Sequence, residues 1–119
     1  MSWVSIWVHI VFTTKNKTPY FHKPDIRHSV FQHIKQNAPH KDIMLDCING
    51  YHDHAHCLIS LSADQQLSKI VQSIKGESSH WINSNGLTSS NFAWQDKYWA
   101  VRVSESHVPS VQRYIHRQE

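Results

Sequence analysis

At 119 residues, 39% of them apolar and 11% aromatic, the chain can build one hydrophobic core and has no length for a second. Lys and Arg exceed Asp and Glu by 12 to 9, a balance that suits a polyanionic partner without demanding one. No stretch approaches the roughly 20 apolar residues of a membrane span, and the opening "MSWVSIWVHI" alternates instead of forming a secretory core. The two cysteines, Cys47 and Cys57, sit in apolar contexts and read as buried free thiols of a cytoplasmic protein.

In chain order, Trp3 to Thr14 predict a strand. Val4, Ile6, Val8, Ile10 and Phe12 give it one strictly apolar face, and Trp3, Ser5, Trp7, His9 and Val11 a mixed one. The polar "KNKTPYFHKP" that follows carries Lys15, Lys17 and Lys23. Pro24 suits the first turn of a helix whose Ile26, Val30 and Ile34 recur every four residues and which Asn37 and Pro39 end. Asp42 to Asn49 predict a second strand, "GYHD" a turn, and "HAHCLISL" the returning strand of a hairpin. A helix from Asp64 to about Asn83 has Leu67, Ile70, Val71 and Ile74 on one stripe and Ser62 or Asp64 as its cap. After the loop "NSNGLTSSN", Tyr98 to Ser104 predict a fourth strand, and "HVPSVQRYIHRQE" a closing helix striped by Val108, Val111 and Ile115. The order β-α-β-β-α-β-α predicts an α+β fold, an antiparallel sheet with helices packed on it, ferredoxin-like or RRM-like, as a single domain over residues 1–119.

The composition's odd feature is its 11 histidines, three of which alternate in "YHDHAHCLISL". His52 falls in the predicted turn, while His54 and His56 begin a strand and share one of its faces. They are either metal ligands or two hydrogen-bonded histidines of a histidine-rich chain. On the closing helix Tyr114 and Gln118 are four residues apart and share a face. If that helix lies across the histidine face, two imidazoles and an amide oxygen make an incomplete shell for a divalent ion, with positions left for phosphate and water. A tyrosine hydroxyl placed beside such a shell is a candidate nucleophile. Asp53 either orients a ligand histidine or closes an Asx-turn, and His52 can donate a hydrogen bond to substrate. Lys15, Lys17, Lys23, Lys75, Arg102 and Arg113 are candidate phosphate contacts, and Trp3, Trp7 and Trp81 are either packing residues or stacking partners for unpaired bases.

These residues also carry a resemblance. "YHDHAHCLISL" resembles the "MPDHVHLLI" segment of the single-tyrosine HUH transposases of the insertion-sequence 200/605 group. "WVHIVFTTKNKTPYF" is similar to that group's first strand and loop, and "LSKIVQSIKGESSHWIN" to its "I-K-x-x-S-S-x-x-I-N" helix. "FAWQDKYWAVRVSESHVPSVQRYIHRQE" resembles its "F-x-W-Q-x-G-Y-G-A-F-S-V-S" strand and "Y-I-x-x-Q" helix, with Lys97 and Trp99 in place of two glycines. The resemblance implies an HUH fold, a Mg²⁺ or Mn²⁺ ion held by His54, His56 and Gln118, and Tyr114 as nucleophile. It implies cleavage and rejoining of single-stranded DNA at hairpin-forming transposon ends through a 5′-phosphotyrosine, by homodimers whose active sites can be shared. Two alternatives stand beside it: a histidine-triad nucleotide hydrolase or transferase using His54, and a catalytically decayed relative that only binds hairpin DNA.

Overall fold

The computed structural model describes residues 5–119, so the expected contributions of Trp3 and Val4 to the first strand lie outside the described residues. β1 (Ile6–Thr14), α1 (Pro24–Asn37), β2 (Met44–Gly50), β3 (His54–Leu61), α2 (Leu67–Ser84), β4 (Trp94–Val103) and α3 (Val108–His116) follow in that order. The strands form one sheet in the order β2-β3-β1-β4, every neighbouring pair antiparallel. The histidine-bearing strand is therefore an inner one, hydrogen-bonded on both sides.

Strand alternation divides the sheet into two faces of different character. Val8, Ile10 and Phe12 of β1 lie opposite Ile59, Cys57 and Ala55 of β3 and are buried with Val30, Phe31 and Ile34 of α1 and Ile70, Val71 and Ile74 of α2. This is the main core, on the face the sequence marks as strictly apolar. The mixed face carries Trp7, His9 and Val11 of β1 and His54, His56 and Leu58 of β3. A smaller cluster forms there, where Val108 and Ile115 of α3 pack on Cys47 and Leu58, flanked by Trp7, Val103 and Val111. Two polar contacts pin α3 to β2: Gln112 Nε2 donates to Asp46 Oδ2 (2.8 Å) and Asn49 Nδ2 to the His116 carbonyl (3.1 Å).

Several boundaries differ from the sequence expectation. β2 starts at Met44 because Asp42 adopts a left-handed conformation (φ 58°) that closes a 3-10 turn over Ala38–Lys41. α2 starts at Leu67 with no side-chain cap, because Ser62 and Asp64 make a turn of their own in which the Ser62 hydroxyl donates to Asp64 (2.8 Å). β4 starts four residues early, at Trp94, which pairs with Thr14 across a bulge and buries its ring beside Phe12. α3 ends at His116, two residues short of Gln118. Among the described residues, no helix is long and apolar enough to cross a membrane.

Candidate functional site

The β2–β3 turn sets the first half of the site. Gly50 ends β2 where a Cβ would collide with the His54 carbonyl oxygen and would sit 2.9 Å from both the Ala55 Cα and the Phe31 ring, so the strands meet there only without a side chain. The turn closes with the Tyr51 amide donating to the His54 carbonyl (3.1 Å). His52 stays in the turn, its ring stacked on Tyr51 at 3.8 Å, and it does not join the row of β3. The three alternating histidines are thus not one triad.

His54 and His56 do share a face. Two residues of strand advance about 6.6 Å, whereas their ring centroids are 5.2 Å apart, so the rings lean together. His54 donates from Nδ1 to Asp53 Oδ1 (2.8 Å), which gives Asp53 the orienting contact open to it on sequence grounds. His56 meets, through Nδ1, the Nε2 of His9 on β1 (2.9 Å). Burial, with smaller contributions from His54 and His9, pushes the His56 imidazole down to about 4, and burial also lowers that of His9. Both are neutral at pH 7, the state in which an imidazole has a lone pair to offer a metal. Sequence reasoning placed His9 on the mixed face and gave it no role; the signal was its parity with Trp7 and Val11 on the strand beside β3.

α3 supplies the second half. Its docking on Leu58 and Cys47 brings Tyr114 over the pair, with ring centroids 5.5 Å from His56 and 6.0 Å from His9. The tyrosine is 53% exposed, so a large substrate can reach its hydroxyl. Gln118 follows the last helical turn. Its amide nitrogen donates to the Tyr114 carbonyl (3.0 Å), which engages the donor end and leaves its oxygen without a partner among the described residues. The neighbouring Glu119 pairs with Arg27 and His28 of α1.

Among the described residues, no group of three or more His, Cys, Asp or Glu gathers to hold a metal. Among the described residues, Gln118 makes no hydrogen bond to His54 or His56, so the face itself presents two imidazoles beneath Tyr114. The candidate phosphate contacts scatter. Lys17, with Asn16, lines a cleft with Val11, Thr13, Lys97 and Trp99, beside the histidine row since Thr13 pairs with His54. Lys15, Lys23, Arg102 and Arg113 are exposed elsewhere, while Lys75 bridges α2 to β4 by donating to the backbone carbonyls of Gln95 and Asp96. Trp7 packs under α3 and Trp81 stacks on His33 at 3.9 Å, which leaves Trp99, 50% exposed and edge-on to His9, as the open tryptophan of this face among the described residues.

The profile of the family described as "Transposase IS200 like" matches residues 2–118. A search of curated proteins finds no match. Among solved structures, a Deinococcus radiodurans R1 protein described as a transposase superposes with a TM-score of 0.76 at 18% identity, covering 99% of this chain and 94% of that one. A REP-associated tyrosine transposase bound to a REP hairpin superposes with a TM-score of 0.61 at 13% identity, covering 99% of this chain and 67% of that one.

Proposed function

The chain belongs to the IS200-like transposase family, and from that premise we propose that it cleaves and rejoins single-stranded DNA at transposon ends with Tyr114 as nucleophile and a divalent ion, Mg²⁺ or Mn²⁺, as cofactor. The observation that carries this reading is the convergence of His54, His56 and Tyr114 on one sheet face from a strand and a helix far apart in sequence. His54 and His56, with the Gln118 oxygen, would hold the ion. When bound, it supplies positive charge that polarises the scissile phosphate and stabilises charge developing on its oxygens.

The chain's own residues do the rest. Tyr114 Oη attacks the phosphorus and forms the new O–P bond as the bond to the 3′ oxygen of the preceding nucleotide breaks. This leaves a 5′-phosphotyrosine and a free 3′ end, and the phenolic proton passes to water. Attack by a 3′ hydroxyl on the phosphotyrosine reverses the sequence and rejoins the strand. Lys17 and Lys97, in the cleft beside Thr13, would receive the flanking backbone.

DNA with hairpin-forming ends is the proposed substrate; the REP-associated neighbour is itself bound to a hairpin. A homodimer is the proposed assembly. β4 is an edge strand with Tyr98, Trp99 and Val101 between 37% and 50% exposed, the kind of edge that pairing with a second copy would cover. The buried free thiols suit a reducing cytoplasm. A histidine-triad mechanism is disfavoured by the position of His52 in the turn.

The test is incubation with single-stranded oligonucleotides spanning a hairpin-bearing end, with Mn²⁺ or Mg²⁺. The expected product is a protein–DNA adduct that survives denaturation and disappears in Tyr114→Phe and on chelation. An adduct persisting in Tyr114→Phe rules out this nucleophile; hairpin binding with no adduct under either ion points to the decayed relative.

A further inference from the structure

We propose that His9 is a positioning residue for this site: its Nε2 accepts the Nδ1–H of His56 and so keeps the Nε2 of His56 unprotonated and free to bind the ion. This rests on the ligand reading given above. The argument starts from the other histidine. Asp53 Oδ1 can only accept, so the His54 proton is on Nδ1 and the lone pair is left on Nε2. The 2.9 Å contact between His56 Nδ1 and His9 Nε2 can be filled in either sense by two neutral rings. If His9 donated, the proton of His56 would sit on Nε2 and no lone pair would remain for a metal. Only the arrangement with His9 as acceptor gives the two rings matching tautomers, both with Nδ1 tied back and Nε2 free.

The fold explains why a histidine stands here where Asp53 serves His54. His9 lies on β1 opposite Leu58, diagonal to His56 across the strand pair, and is 8% exposed. A carboxylate at that depth would carry an uncompensated charge, whereas a neutral imidazole supplies an acceptor without one. The ring is held on two further sides, edge-on to Trp99 at 5.2 Å and to Tyr114 at 6.0 Å. Its orientation is therefore set by β4 and α3 as well as by β1, and the ring that orients a ligand also borders the nucleophile.

The decisive measurement needs neither metal nor DNA. Long-range ¹H–¹⁵N NMR of histidine-labelled, metal-free protein at neutral pH reads which ring nitrogen carries the proton. His56 is expected as the Nδ1–H tautomer, and in His9→Leu it should lose that preference. Mn²⁺ titration should then show binding weakened about 10- to 100-fold in His9→Leu. His9→Gln puts an amide oxygen near the place of Nε2, and should keep the tautomer and hold the affinity within about threefold of wild type. Wild-type His56 protonated on Nε2, or a His9→Leu variant with unchanged tautomer and Mn²⁺ affinity, overturns the proposal. Failure of the underlying reading looks different: Mn²⁺ binding unaffected by both His54→Ala and His56→Ala removes the ligand pair itself, whatever the tautomer of His56.

Discussion

Replacing Ile115 by Ala should release the helix that carries Tyr114 while leaving the rest of the fold standing. Ile115 is fully buried, but in the small cluster with Cys47, Leu58 and Val108 rather than in the main core. Truncating a buried Ile to Ala costs about 2–5 kcal/mol, lost transfer energy plus the cavity left behind. α3 has nine residues, too few to persist as an isolated helix. Its anchorage centres on that cluster, with the contacts from Gln112 and Asn49, the Tyr114 ring on His56 and His9, and Glu119 tied to α1 around it, so the loss falls on local opening. A loss of about 3 kcal/mol raises the opening equilibrium roughly 100-fold at 1.4 kcal/mol per decade. Hydrogen exchange followed by mass spectrometry should show residues 108–118 exchanging faster by about that factor, with α2 nearly unchanged. Ile74→Ala, in the main core, should instead speed exchange in every element together. Covalent DNA capture by Ile115→Ala should fall with the docked fraction of α3. Equal acceleration in α2 and α3, or protection of 108–118 within about threefold of wild type, would refute a separately anchored helix.

Other outcomes follow from the same geometry. Gly50→Ala should lower stability by about 3 kcal/mol or more in urea denaturation, since the clash is with backbone that cannot swing away; it should also weaken Mn²⁺ binding, because the obstructed atom belongs to His54. The pH dependence of the metal-free chain has a defined sign. His56 titrates near 6.5 when unfolded and about 4 when folded, so the unfolded chain binds the extra proton between those values. Stability should therefore fall as pH drops from about 6.5 towards 4 and level off below, by up to about 3 kcal/mol, and His56→Gln should flatten that segment of the curve. Capture of DNA should be abolished in Tyr114→Phe without change in melting temperature, because an exposed hydroxyl on α3 makes no hydrogen bond among the described residues; a drop of several degrees would mean that the phenol serves the fold.

Much of this arrangement is legible in the sequence, and the gaps have physical causes. Period-2 alternation places the faces of β1 and β3 correctly, because one face is apolar throughout and packs on α1 and α2 while the other mixes histidines with apolar residues beneath α3. The start of β4 escaped because "WQDK" has no apolar alternation: its pairing is with Thr14, and Trp94 is held by a core contact that no local pattern announces. The helix that was to carry Gln118 ends early, because the last residues turn back towards Arg27 and His28. His9 was missed for a related reason. Its role depends on which strand lies beside β3 and in what register, information held in the pairing of the sheet rather than in the "WVHIV" segment.

The inner position of β3 has a consequence for how its substitutions read. A one-residue slip of this strand would carry His54 and His56 into the core and turn Ala55, Cys57 and Ile59 out beneath α3. Site and core are thus written in a single reading frame, and whatever loosens the frame removes both at once. Cys57 marks the frame chemically. Fully enclosed, with its thiol pushed up by burial, it is shielded from alkylating reagents in the native register and opens to them only when β3 leaves the sheet. Its labelling rate reports whether an inactive β3 variant has lost a ligand or lost the strand that presents it.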